Sequence, residues 1–293
     1  EETGMAAREV VVVSAVRTAI GGYGASLKDI APTQLGAICV KESVARAKID
    51  PASVGHVVFG SVVFGEARDM YLSRVAALDG GLQVGTPCLT VNRLCGSGLQ
   101  AIVSASQMIK LGDADTAVAG GAESMSRGGY LLPTLRSGQR MGDATAIDMM
   151  VGALTDPFET VHMGITAENI AAQWKITREA QDAFAVESHR RAVAAIEKGY
   201  FKEQILPIEL KTRKGVTVFD TDEHPRKDAS LEGMAKLRAA FKKDGSVTAG
   251  NASGINDGAA AVILMSDKKA AALGLKPIAR VRAYASAGID PSI

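Results

Sequence analysis

Cysteine is scarce in this chain: there are three, Cys39, Cys88 and Cys95, among 293 residues. An odd, sparse set without a Cys-x-x-Cys pair argues against a disulfide framework or a cysteine-based zinc cluster, so no metal site is expected. A reducing, cytoplasmic setting fits that usage best. Excess charge of one sign is missing too: 33 Lys and Arg stand against 32 Asp and Glu. That balance gives no electrostatic reason to expect nucleic acid or a membrane surface as partner. No apolar run approaches the roughly 20 residues of a membrane span. The first residues have neither a basic n-region nor an apolar h-region, so they are not read as a signal peptide. Glu1 to Gly4 read as an added remnant, with Met5 as the natural start. Short-period repeats are absent.

What is present is an ordinary globular composition, 47% hydrophobic and 22% charged, long enough for one large or two ordinary domains. Short apolar runs over residues 9–15, 56–64, 88–91 and 116–119 read as strands covered on both faces. Helical spacing follows over 32–47, where Pro32 suits a first turn, and over 96–111, a helix of small and apolar residues expected to be buried. The sum is a layered α/β domain with a largely parallel sheet.

The character changes near Ser124. Residues 124–156 are rich in Gly, Met, Ser and Arg with weak periodicity, which suggests ordered, ligand-facing irregular structure. Helices are expected over 166–174 and 178–199, the second with Thr177 as N-cap and Gly199 at its C-terminal end. Residues 205–210 and 216–219 suit a hairpin, and the buried-strand pattern returns over 259–266 and 278–284. A pattern that stops and resumes is most simply an insertion. The expected division is 1–124 plus 255–276 for the core, 125–254 for the insertion, and 277–293 for the start of another part.

Val91-Asn92-Arg93-Leu94-Cys95-Gly96-Ser97-Gly98 joins an expected strand to an expected helix. Unpaired N–H groups and the dipole at a helix start favour a thiolate, which is the nucleophilic form. The glycines beside Ser97 permit a tight turn and close approach of a substrate. On position alone two readings of Cys95 stand, a nucleophile and a small buried hydrophobe. Cys39 and Cys88 lie inside apolar patterns and read as core. Gly96-Ser97-Gly98 completes no G-x-G-x-x-G, so it is not a dinucleotide fingerprint.

Five segments, in order along the chain, resemble the thiolase family. They are Arg17-Thr18-Ala19-Ile20-Gly21; Val91 to Ala101 around Cys95; Ala119-Gly120-Gly121-Ala122-Glu123-Ser124-Met125-Ser126; His162-Met163-Gly164-Ile165-Thr166-Ala167-Glu168; and Val247 to Ala259. The resemblance implies a layered αβαβα core with an inserted loop domain that holds coenzyme A, the second core half being mostly absent from these 293 residues. It implies an acyl-CoA C-acyltransferase in which Cys95 is acylated, such as an acetyl-CoA acetyltransferase or β-ketothiolase making or cleaving acetoacetyl-CoA. It places His162 and Met163 near the thioester, and Arg226, Leu237, Ala249 and Ser253 near the nucleotide or pantetheine. Coenzyme A or acetyl-CoA is then substrate, no cofactor is required, and a homo-oligomer, dimer or tetramer, is implied. Gly233 stands where many relatives carry Ser.

Each of these residues has a plainer reading. A lone His is usually a polar core residue, the mixed charges of 222–228 around Arg226 suit a solvated loop, and Met163 suits a core gap. The family's Asn-Glu-Ala-Phe, Gly-His-Pro and late Cys-x-Gly-Gly-Gly segments do not occur. His56, His162, His189 and His224 are the only histidines, and none sits in the required pattern. Condensation needs a base at the α-carbon, so the expectation is an N-terminal piece of a longer enzyme, with negligible turnover by itself. Three other readings are a decarboxylating condensing enzyme, a cysteine hydrolase with a Cys–His pair, and a non-catalytic coenzyme A-binding or assembly piece.

Overall fold

The computed structural model describes residues 8–213 and 215–293, so the Met5 start lies outside them. Contacts group the chain into two compact units: residues 1–127, 203–221 and 256–285, and residues 128–202, 222–255 and 286–293.

The first unit is built on one sheet. Its strands lie in the order Ala279–Arg280, Val10–Thr18, Asn256–Ser266, Thr116–Ser124, His56–Gly60 and Cys88–Val91. Thr116–Ser124, His56–Gly60 and Cys88–Val91 pair in parallel. Asn256–Ser266 runs antiparallel between Val10–Thr18 and Thr116–Ser124. The sheet is therefore mixed rather than largely parallel. Strands linked through helices share one direction, as crossover connections require, whereas the strand that returns from the second unit enters against them.

Helices cover both faces. Pro32–Ala47 starts with Pro at its first turn. Gly36 sits close on Ala76 and the Phe59 ring, where a Cβ would come within 3.1 and 3.4 Å of them. On the other face Ala101, Ala105 and Ile109 of the helix Ser97–Leu111 pack on Val10, Val58, Ala117, Ala119 and Leu264, all fully buried. Only that stripe is buried, because only one face of the helix meets the sheet; Leu99 is 69% exposed. The expectation of a helix buried all round is corrected to that extent.

Several expected elements change their limits. Ile205–Leu206 pairs in parallel with Arg17 and Thr18 instead of joining the hairpin, which runs Ile208–Thr212 to Gly215–Phe219. That pairing draws residues 203–221 into the first unit, where the expected division had put them in the insertion. Of the expected strand 278–284 only Ala279–Arg280 pairs, against Val11 and Val12. In the second unit, Asn169 donates to the Ser292 carbonyl at 2.8 Å, which groups the last residues there.

Residues 124–156 are mostly irregular, as expected, with a two-residue antiparallel pair, Tyr130–Leu131 with Ile147–Asp148, and the helix Met149–Ala153 capped by Asp148. The helices Met163–Gln173 and Arg178–Glu197 follow, the second N-capped by the Thr177 hydroxyl. Gly199 adopts φ +72 just beyond that helix, as a residue ending a helix in the left-handed region does.

Removing the fully buried Leu264 side chain leaves a hole at the centre of the sheet. Leu264→Ala is expected to destabilise the first unit by about 2–5 kcal/mol, read as a lower urea midpoint at unchanged slope.

Candidate functional site

Cys95 sits on a turn that fastens itself. The Asn92 side-chain oxygen accepts from Leu94 N–H at 2.9 Å. The Ser97 hydroxyl accepts from Arg93 N–H at 2.8 Å and donates to the Leu94 carbonyl at 2.6 Å. Leu94 is held at φ +47, a left-handed conformation that costs a residue with a side chain about 1 kcal/mol or more. Gly96 caps the helix that begins at Ser97, so Cys95 precedes the first helical turn by two residues.

That helix end lies close on the sheet. A Cβ on Gly60 would come within 2.5 Å of the Ser97 backbone. A Cβ on Gly121, which pairs with Gly60, would meet the Gly98 Cα at 3.5 Å. A side chain at position 60 would therefore push the helix start, and Cys95 with it, off the sheet.

The three cysteines separate by environment. Cys95 is exposed, Cys39 buried and Cys88 half-buried. Burial pushes the Cys39 thiol up to about 12, against a hydrogen bond to the Thr18 backbone and the charge of Arg46. Burial also raises the Cys88 thiol, with Arg74 opposing it. Neither supplies thiolate near neutral pH.

Nearby, buried Asp257 accepts from the Ser126 N–H and hydroxyl at 2.9 and 2.6 Å, and the Ser126 hydroxyl accepts from Gly24 N–H. These bonds join the 21–24 turn, residue 126 and the strand Asn256–Ser266.

The other six expected site residues fall in the second unit. His162 is the N-cap of Met163–Gln173: its Nδ1 accepts from Gly164 N–H at 3.0 Å. Its ring stacks on Phe241 with centroids 4.7 Å apart. A Cβ on Gly164 would meet the same phenyl ring at 2.2 Å, which accounts for glycine after Met163. Met163 and Leu237 are partly exposed, 40% and 38%. Leu237 and Met234 crowd Gly250, and Arg178 donates to the Met234 and Leu237 carbonyls. Ala249 and Ser253 are exposed on one loop, and Arg226 is exposed on another. The 226 loop is tied down by Arg226 N–H donating to His189 Nδ1 at 3.2 Å. Gly233 N–H bonds to the Ser230 hydroxyl as part of a helix cap.

The loop carrying Ala249 and Ser253 is pinned by Glu168. The carboxylate of Glu168 accepts from the N–H groups of Ser246 and Val247 and from the Ser246 hydroxyl. Burial pushes this carboxyl up, but those bonds, with Lys242, outweigh it and hold it below the usual range. Asn251 adds a bond to buried Asp182, which also pairs with Arg178 at 2.7 Å. Sequence reasoning missed the parts played by Phe241, Glu168 and Asp182. Glu168 stood inside a family segment, but no spacing rule links residue 162 to 241 or 168 to 246. Among the described residues, no group of three or more His, Cys, Asp or Glu is placed to hold a metal ion.

The sequence and the architecture match known proteins. Residues 10–268 match the family model described as the thiolase N-terminal domain. The chain is 62% identical over 285 residues to a β-ketothiolase, BktB, of Cupriavidus necator, covering 97% of this chain and 72% of that protein. It is 51% identical over 289 residues to an acetyl-CoA acetyltransferase of Syntrophomonas wolfei, covering 98% and 72%. A crystal structure of the Bacillus anthracis acetyl-CoA acetyltransferase superposes with a TM-score of 0.95 at 44% identity, covering 98% of this chain and 73% of that one. A human mitochondrial 3-ketoacyl-CoA thiolase in complex with CoA gives 0.93 at 41% identity, covering 97% and 71%. The chain belongs to the thiolase family. Its class is that of the acyl-CoA C-acyltransferases, enzymes that work through an acyl-cysteine.

Two pH effects follow in the second unit. Glu168 is depressed in the fold, so its stabilisation is present above the ordinary carboxyl value of about 4.3 and is lost as the pH falls through the native value. Glu168→Ala should cost roughly 1–3 kcal/mol at neutral pH by orphaning two N–H groups and should flatten the acid limb of a plot of melting temperature against pH. Burial, then the charges of His224 and Arg226, lower His189, with Asp228 opposing them. Its unfolded form therefore protonates first, and stability falls as the pH drops through about 6.5. His189→Asn, which keeps an acceptor for Arg226 N–H, is expected to remove that slope.

Proposed function

We propose that Cys95 is the residue acylated by an acyl-CoA or 3-ketoacyl-CoA, and that His162, Met163, Arg226, Leu237, Ala249 and Ser253 bind the coenzyme A portion. One observation carries the reading. In a thiolase chain with three cysteines, Cys95 is exposed on a rigid turn at a helix start, while the other two are raised by burial. With an acyl-CoA the Cys95 thiolate adds to the thioester carbonyl, the Cys95 backbone N–H supports the oxyanion, and collapse breaks the bond from the acyl carbon to the coenzyme A sulfur. Coenzyme A leaves as thiolate and takes up a proton. With a 3-ketoacyl-CoA the thiolate adds to the C3 ketone, and collapse breaks the C2–C3 bond so that the two-carbon part leaves as acetyl-CoA once its carbanion is protonated.

Residues 162 and 163 at a capped helix start, the 226 loop and the loop pinned by Glu168 present backbone and apolar side chains of the kind that pantetheine and nucleotide need. The substrates are coenzyme A thioesters such as acetyl-CoA and acetoacetyl-CoA, and the reaction calls on no metal or prosthetic group. The natural setting is fatty acid metabolism in the cytoplasm, in a homotetramer or homodimer. Among the described residues no helix is long and apolar enough to cross a membrane.

Incubation with acetyl-CoA is expected to place one acetyl group on the peptide containing Cys95 and to release one equivalent of free thiol. Cys95→Ser should lose both, and acetylation that persists at another cysteine would sink the assignment. With no assigned acid to protonate the departing α-carbon among the described residues, acetoacetyl-CoA cleavage by the 293-residue chain should be negligible.

A further inference from the structure

We propose that Glu123 is a positioning residue for Cys95, holding the segment on which both ends of the nucleophile turn are seated. The inference rests on the reading of Cys95 as the acylated residue. Strand alternation puts residues 117, 119, 121 and 123 on the face covered by the helix Ser97–Leu111, and Ala117 and Ala119 pack against that helix. At the end of this row the Glu123 carboxylate accepts three hydrogen bonds from residues 61–63, two from backbone N–H groups and one from a hydroxyl. Val62 N–H donates at 2.8 Å, Val63 N–H at 3.0 Å and the Ser61 hydroxyl at 3.5 Å.

Residues 60 and 61 in turn carry the Cys95 turn at both ends. Ser61 N–H donates to the Val91 carbonyl, the last residue before the turn, at 3.2 Å. Gly60 abuts the Ser97 backbone, the first residue after it, so closely that no Cβ would fit. A displacement of 61–63 is therefore passed to both ends of residues 92–96. Loss of alignment at the helix start changes how the turn presents the Cys95 sulfur to an electrophile.

A titration signature accompanies this arrangement. Burial raises the Glu123 carboxyl; the two N–H groups and the Ser61 hydroxyl oppose that, and the nearby carboxylate of buried Asp69 adds to it. Asp69 is the charged neighbour that acts on Glu123, and it is itself bonded to the N–H groups of Gly65 and Glu66. Protonation of Glu123 turns an acceptor oxygen into a hydroxyl and releases part of the grip on residues 61–63. The change falls above the ordinary carboxylate range.

The test is the rate of Cys95 alkylation by iodoacetamide, read on the Cys95 peptide by mass spectrometry, as a function of pH. In the wild type, log rate should fall with unit slope as thiolate is lost and then more steeply as Glu123 takes up its proton. Glu123→Gln should be roughly three- to tenfold slower at neutral pH and keep unit slope throughout. Asp69→Asn should move the break to lower pH, which a merely structural role would not do. A wild-type profile without a break overturns the proposal, as does a Glu123→Gln profile that superposes on it. A lower melting temperature with an unchanged rate per folded chain also overturns it. If Glu123→Gln fails to fold, the wild-type break and its shift in Asp69→Asn still decide. Failure of the Cys95 reading is separate, since it shows as no acetyl group on Cys95 from acetyl-CoA whatever the alkylation profile.

Discussion

The first unit depends on how closely the helix Ser97–Leu111 can approach the sheet. Gly60, paired with Gly121 in the adjacent strand, leaves room for the helix start. Ala101, Ala105 and Ile109 continue the contact along the same face. Small residues bring the backbones together and large ones fill the far end. Interiors are packed too densely to absorb even a methyl group at the tight end without displacement. Because Cys95 stands at that end, packing and chemistry are set by one constraint.

The same economy recurs at the carboxylates. Glu123, Asp257 and Glu168 each accept two or more bonds from loop backbone or hydroxyl groups, and each fastens a loop. An acceptor with two oxygens can gather successive N–H groups that no strand or helix satisfies. Burial opposes the charge in Glu123 and Glu168, and the number and strength of the bonds decide the sign. Glu123 comes out raised and Glu168 lowered. Glu123 and Glu168 are thus local anchors with different pH responses.

Much of the fold was legible before the structure. The helix over Pro32–Ala47 and the strand Cys88–Val91 have the limits expected from the sequence. Thr177 caps its helix because a hydroxyl in that place accepts an orphan N–H. The mixed sheet was not legible: alternation and apolar runs report burial, not the direction of the neighbour. Ile205–Leu206 likewise carried a strand pattern, but its partner is Arg17–Thr18, nearly 190 positions away in the chain.

Local order along the chain determined the α/β class, the helix start after Cys95 and the ordered motifs that resemble the family, whereas the helix expected from residue 166 begins at Met163 under a His162 cap. The class and the helix start follow from short-range rules of period and turn chemistry, and the motifs from resemblance to a known family. Tertiary structure alone decided which cysteine is exposed, that Phe241 backs His162, and that Glu123 and Glu168 grip loops far from them in the chain. It decided these because burial and hydrogen-bond partnership are properties of neighbours in space, and folding chooses those neighbours by packing rather than by sequence distance.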